Sequence, residues 1–154
     1  MANFDKAYIR TSIYEGGYAN VKGDRGGETY AGITKVYHPN WEGWKIIEKY
    51  KPLKYQQKIK DTELERLMKV FYKKTYWDII QGDLYDSQII AEFIYDYSVH
   101  SGPKRAITKL QGFLGVVADG KVGKLTIAAL NSKNPKILFE QLKQERYNFL
   151  LALS

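Results

Sequence analysis

Cysteine is absent from the 154 residues, and histidine occurs only at His38 and His100. The fold therefore owes nothing to disulfides or thiolate metal sites. A structural zinc centre lacks its usual ligands, and neither a metal nor a cofactor is expected. No run approaches the ~18 apolar residues that a spanning helix needs, so stable membrane insertion is not expected. The start, Met1-Ala2-Asn3-Phe4-Asp5, has no charged segment leading into an apolar one. Synthesis in the cytoplasm without a signal peptide is the expectation. The glycines match neither a dinucleotide-binding nor a P-loop pattern in spacing or context. Repeats, low-complexity tracts and linkers are also missing.

What is present fits one domain, or one with a small appended lobe. A chain this long buries roughly 70% of its unfolded surface. The hydrophobic share, 44%, supplies an ordinary core. The formal charge of +7 favours a polyanionic partner. No nucleic-acid motif accompanies that charge, so nucleic acid is not the expected partner. Lysines are spread along the chain, and the densest group, Lys45 to Lys60, alternates with aromatic and aliphatic residues. Thirteen tyrosines suit a core, and they equally suit a sugar-stacking cleft, because the ring is apolar and the hydroxyl stays wet.

Periodicity along the chain is mostly helical. Asn3 caps a helix expected to run to about Tyr14, with Phe4, Ala7 and Tyr8 on its buried face. Gly16-Gly17 stops it. Residues 18–34 read as a small, irregular β-hairpin. A short helix over Trp41–Tyr50 turns Trp44, Ile47 and Tyr50 inward and ends at Pro52. Thr62-Glu63-Leu64-Glu65 has capping-box spacing. It opens a helix with an apolar stripe of Leu64, Leu67, Met68, Phe71 and Tyr72, ending near Trp77. Asp86 or Ser87 caps the next helix, whose residues Ile89, Ile90, Ala91, Phe93, Ile94 and Tyr97 make it apolar over most of its girth. Pro103 sits in the first turn of another helix, with Ala106, Ile107, Leu110, Phe113 and Leu114 on its stripe. After a loop over Gly115–Gly123 comes a short helix carrying Leu125 and Ala128-Ala129. Asn134-Pro135 opens the last, with Leu138, Leu142, Phe149 and Leu153.

The chemistry concentrates between Glu15 and Thr34. Glycoside hydrolysis needs a protonated carboxylic acid and a means to activate water or form a covalent intermediate. At a helix C-terminus, Glu15 would meet the negative end of the macrodipole. Burial against Tyr14 and Tyr18 would act the same way. Both disfavour its charge, as a general acid near neutral pH requires. On spacing alone, an exposed helix-end glutamate is the commoner reading. Asp24, in a polar glycine-rich loop beside Arg25, is expected to stay ionised and hold a water; a turn aspartate bonding its own backbone has the same sequence. Glu28 is a rival at the same hairpin. Thr29 can position the water, and is also a good strand residue. A Ser–His pair at His100-Ser101 has no nucleophile elbow around it. Asp119-Gly120-Lys121 lacks the calcium-loop ligands. Trp41, Trp44 and Trp77 read as core or cleft wall.

Glu15-Gly16-Gly17-Tyr18, followed by Asp24-x-Gly26-Gly27-x-Thr29-x-x-Gly32-Ile33, resembles the N-terminal signature of glycoside hydrolase family 108. These are N-acetylmuramidases related to phage endolysins and secretion-activator proteins. The segment Tyr95 to Pro103, then Leu110-Gln111 to Leu130 with its Leu114–Gly123 core, resembles the predicted peptidoglycan-binding region of the same family. The resemblance implies a mainly α, lysozyme-like fold, with two helical lobes and a small N-terminal β-hairpin flanking the cleft. Residues 1–92 would form the catalytic region. Residues 93–154 would form the peptidoglycan-binding region, as the second lobe of one body. It also implies cleavage of the β-1,4 bond between N-acetylmuramic acid and N-acetylglucosamine. Glu15 takes the catalytic position, and Asp24 and Thr29 resemble the acidic and hydroxyl positions that place water in phage-type lysozymes. Glu28 receives no role from the resemblance. His100 stands where relatives often have asparagine, and Lys124 where peptidoglycan-binding motifs often have proline.

The expected protein is therefore a monomeric peptidoglycan hydrolase that acts on the wall or periplasm after release. Its expected catalytic residues are Glu15, Asp24 and Thr29, and its expected substrate-binding residues are Tyr18, Tyr30 and His100. A lytic transglycosylase, which can work with one glutamate and no water, is the rival enzyme. A peptidoglycan-binding module without turnover is the rival from another class.

Overall fold

The computed structural model describes residues 1–12, 16–20 and 27–153. Among these, the order of elements is α1 (Phe4–Ser12), β1 (Tyr18–Asn20), β2 (Glu28–Tyr30), β3 (Ile33–Thr34), α2 (Gly43–Lys49), α3 (Thr62–Tyr72), α4 (Gln88–Ser101), α5 (Pro103–Leu114), α6 (Lys124–Ser132) and α7 (Pro135–Leu153). A mainly α, lysozyme-like architecture with one small sheet near the N-terminus is thus what the chain adopts. It divides into two compact units, Arg10–Phe71 and Met1–Ile9 with Tyr72–Ser154.

The first unit carries the sheet. Its strands are antiparallel in the order β1-β2-β3. A two-residue turn, Ala31-Gly32, joins β2 to β3 with φ of +49° and +82°, the positive pair that a type I′ hairpin turn requires. Ile33 is fully buried, and Trp44 and Ile47 of α2 are buried as their spacing implied. Tyr50 is not: it is 42% exposed, and its hydroxyl donates to Asp61 Oδ2 at 2.7 Å. The start of α3 also differs by one residue from the capping-box reading. Asp61, not Thr62, caps it, because Asp61 Oδ1 accepts the Leu64 N–H at 2.9 Å. Asp is as good a cap as Thr, and it stands three residues before the N–H it satisfies.

In the second unit, Phe4 of α1 meets Trp77 and Tyr95 with ring centroids 5.5 and 5.6 Å apart. Asn3 caps α1 through Lys6 N–H at 3.2 Å. The helical path after Tyr72 continues to Trp77 as a π-helical turn, Lys73–Trp77. Ser87 Oγ accepts Ile90 N–H at 3.3 Å and caps α4. This helix buries Ile90, Ala91, Ile94, Tyr95, Tyr97 and Ser98 and packs against α5 and α7. Ile89 is 47% exposed, so the apolar girth is narrower than composition suggested. Gly102, at φ +92° and ψ 144°, both ends α4 and precedes Pro103 at the start of α5. On α6 the inward residues are Thr126 and Leu130, while Leu125 is 81% exposed. Among the described residues, no helix is long and apolar enough to cross a membrane.

Candidate active site

Alternation along β1 and β2 sorts the candidate residues. Side chains on a strand alternate between faces, and directly paired residues share one. The register pairs Tyr18 with Tyr30, Ala19 with Thr29 and Asn20 with Glu28, and Thr29 with Thr34. Tyr18, Asn20, Glu28 and Tyr30 therefore share one face, and Ala19, Thr29 and Thr34 the other. Sequence reasoning grouped Tyr18 and Tyr30 with Thr29 in one site. The pleat places them on opposite sides of the sheet. Glu15 and Asp24 lie outside the described residues.

An ion cluster forms on the tyrosine face. The Glu28 carboxylate, 10% exposed, accepts from Tyr18 Oη at 2.5 Å, Lys35 Nζ at 3.2 Å and Lys51 Nζ at 2.5 Å. Lys51 reaches Glu48 as well, at 2.8 Å. Burial pushes the Glu28 carboxyl up, but hydrogen bonds from Lys51, Tyr18 and Lys35 outweigh it and hold it below the usual carboxylate range. Lys51 mirrors this: burial works against its charge, while its bonds to Glu28 and Glu48 raise it overall. Glu28 is thus a permanent anion at neutral pH. It suits neither proton donation nor water activation, since its oxygens are already engaged. The rival carboxylate of the hairpin is a structural one.

Tyr30 is a core residue. It is 3% exposed, and its hydroxyl accepts the Ile59 N–H at 2.9 Å. Burial of this kind leaves no ring face for a sugar, which departs from the substrate-binding role expected for it. Tyr18 is 7% exposed. Burial first, and then its bond to Glu28, hold its phenol above the usual range, so it serves as a donor. On this face Tyr18, Asn20, Lys51, Pro52, Leu53 and Tyr55 line an open groove of about 600 Å³. Residues 56–57 run beside β1: Gln56 N–H donates to Tyr18 O at 2.7 Å and Tyr18 N–H to Gln57 O at 2.9 Å. Any side chain at Gly17 would run into the carbonyl oxygens of Gln56 and Gln57. The second glycine of the Glu-Gly-Gly-Tyr motif is therefore demanded by close backbone approach.

Thr29 is half-buried on the opposite face, between Ala19 and Thr34. Its two paired neighbours on the sheet carry no charge. His100 belongs to the other unit. Its Nδ1–H donates to the Asp96 carbonyl oxygen at 2.8 Å, in the last turn of α4, and the side chain is 44% exposed. Asp96 also holds Arg146 at 2.7 Å. Sequence reasoning passed over Lys35 and Lys51 as partners of Glu28. No local spacing links residue 51 to residue 28, so no signal pointed to them. Among the described residues, no group of three or more His, Asp or Glu side chains could hold a metal ion.

Comparison with known proteins shows the family. The family model described as "Glycosyl hydrolase 108" matches residues 9–102, a range that contains the whole Glu15–Thr34 stretch. The chain belongs to glycosyl hydrolase family 108. A second model, described as "Predicted Peptidoglycan domain", matches residues 105–154. Among solved structures, the chain is similar to SagA of Brucella abortus, with 28% identity and a TM-score of 0.69, over 96% of this chain and 79% of that one. No curated protein matches the sequence. Membership in family 108 makes the chain a glycoside hydrolase, and the C-terminal match makes peptidoglycan its polymer.

Proposed function

We propose that this family 108 hydrolase is an N-acetylmuramidase, cleaving the β-1,4 bond between N-acetylmuramic acid and N-acetylglucosamine. Glu15 protonates the glycosidic oxygen. Asp24, helped by the Thr29 hydroxyl, orients a water for attack. Substrate meets the Ala19–Thr29–Thr34 face of the sheet, while Tyr18 and Tyr30 brace that sheet from behind. His100 contributes to substrate from α4.

One observation carries this reading beyond the family match: Glu28 is consumed by Tyr18, Lys35 and Lys51. Of the three carboxylates in the motif, that leaves Glu15 and Asp24 for the two roles that hydrolysis needs. Residues 1–92 form the catalytic region and residues 93–154 the wall-binding region. The enzyme works as a monomer on the cell wall, after release from the cytoplasm, without nucleic acid as a partner. Its positive charge speeds encounter with the anionic polymer, so the rate falls as salt rises.

Turbidity clearing of purified sacculi tests the roles. Glu15→Gln is expected to lose at least about a hundredfold in rate, the scale of general acid catalysis. Asp24→Asn is expected to lose a comparable factor. Full activity in Asp24→Asn would remove the water-activating carboxylate from the scheme.

A further inference from the structure

A second pocket lies wholly within the unit formed by residues 1–9 and 72–154. Its volume is about 220 Å³, and its lining includes Tyr85, Asp86, Ile90, Leu130, Lys133 and Leu138. The floor is apolar: Ile90, Leu130 and Leu138 are 1%, 5% and 1% exposed. Asp86 and Lys133 are exposed, and among the described residues neither side chain has a hydrogen bond or ion pair. Tyr85 is fully buried, and its hydroxyl has no hydrogen-bond partner. That hydroxyl is out of reach of solvent, so the polar contacts open to a ligand are those of Asp86 and Lys133.

The walls are pinned. Asp86 N–H donates to Asn131 Oδ1 at 3.0 Å, and Asn131 Nδ2 donates to Leu84 O at 3.0 Å. Ser87 fixes the start of α4. Asn134 Oδ1 accepts from Lys136 and Ile137 N–H at 2.9 and 3.2 Å and fixes the start of α7. Such clamps make the pocket largely pre-formed. Its volume is below the roughly 300–1,000 Å³ of sites that enclose a drug-sized ligand. It therefore takes the end of a chain with small apolar groups, flanked by one amine and one carboxylate. In peptidoglycan the glycan strand offers no amine. The peptide stem offers alanyl methyls, a diamino-acid ammonium and free carboxylates. Leu130, Lys133 and Leu138 lie inside the segment matched to the peptidoglycan domain.

We propose that this pocket binds the peptide stem of peptidoglycan, with a stem ammonium on Asp86 and a stem carboxylate on Lys133. The inference rests on the reading of the chain as a peptidoglycan hydrolase. Calorimetric titration of the full chain with the tetrapeptide L-alanyl-γ-D-glutamyl-meso-diaminopimelyl-D-alanine tests it. Wild type is expected to bind. Asp86→Lys and Lys133→Glu are each expected to weaken binding at least about tenfold, the loss of one charge-assisted contact. Lys136→Glu, a nearby charge reversal outside the pocket lining, is expected to leave binding within about twofold. The pocket assignment is overturned if wild type does not bind the tetrapeptide at millimolar concentration. Equal weakening by Lys133→Glu and Lys136→Glu also overturns it. Sacculus digestion by the same wild-type sample keeps the two readings apart. An active enzyme that ignores the tetrapeptide removes the pocket alone, and an inactive chain that binds it removes the hydrolase reading alone.

Discussion

Replacing Glu28 by Gln separates a structural carboxylate from a catalytic one. The amide keeps the shape but removes the charge that three donors share. The bond from Tyr18, at 2.5 Å, drops from charge-assisted to neutral, which costs about 1 kcal/mol. Lys51, 28% exposed, keeps only Glu48 and loses about 1–2 kcal/mol. Lys35, 43% exposed, rehydrates and loses little. The sum is about 2–3 kcal/mol, or a fall in Tm of about 5–10 °C for a chain of this size. The pH dependence carries a fixed sign. The folded pKa of Glu28 lies below its ordinary value of 4.5, so its stabilisation is complete above that value and is lost as pH falls through the depressed folded pKa. Wild type and Glu28→Gln are thus expected to differ fully at pH 7 and to converge in acid. Differential scanning calorimetry across pH measures this, and sacculus clearing at 25 °C measures turnover. Clearing is expected to stay within a few-fold of wild type. An unchanged Tm at pH 7 would refute the ion-cluster account. A folded Glu28→Gln protein that has lost turnover as completely as Glu15→Gln would refute the assignment of roles.

Three further perturbations follow from named contacts. Tyr30→Phe leaves the Ile59 N–H without its acceptor and is expected to lower stability by about 1–3 kcal/mol. KM should stay unchanged; a several-fold rise in KM would return Tyr30 to the substrate. Asp61→Ala removes the N-cap of α3 and is expected to lower Tm in thermal denaturation, whereas Thr62→Ala leaves it nearly unmoved. Gly102→Ala meets no neighbour within 4 Å, so its cost of about 1–3 kcal/mol comes from backbone strain at φ +92° alone, and chemical denaturation reads it directly.

Much of the helical frame was legible because it rests on local rules. The caps at Asn3, Ser87 and Asn134 and the first-turn Pro103 all stand where side-chain chemistry requires them. Of the stripe Ala106, Ile107, Leu110, Phe113 and Leu114, all but the half-buried Phe113 are buried as its spacing implied. Short elements were harder to read. On α6 the apolar residues nearly encircle the helix, and the inward side is set by Thr126, whose hydroxyl accepts from Gln111 Nε2 at 3.2 Å. Leu125, one position before it, points to solvent and is 81% exposed. Tyr50 turned outward because Asp61 offered its hydroxyl a partner eleven residues away. At the site, the order of glycines and hydroxyls identified the hairpin, and close packing against Gln56 and Gln57 explains one of those glycines. The separation of Thr29 from Tyr18 and Tyr30 depends on strand register, and the Glu28–Lys51 pair depends on tertiary folding. Neither has a one-dimensional signature.

End-group analysis of wall fragments tests the muramidase reading most directly. Purified sacculi digested by wild type and by Glu15→Gln, followed by mass analysis of the released products, report both the bond cut and the fate of water. Wild type is expected to release fragments ending in reducing N-acetylmuramic acid, and Glu15→Gln to release almost none. Fragments ending in 1,6-anhydro sugars or in reducing N-acetylglucosamine, or undiminished release by Glu15→Gln, would contradict it.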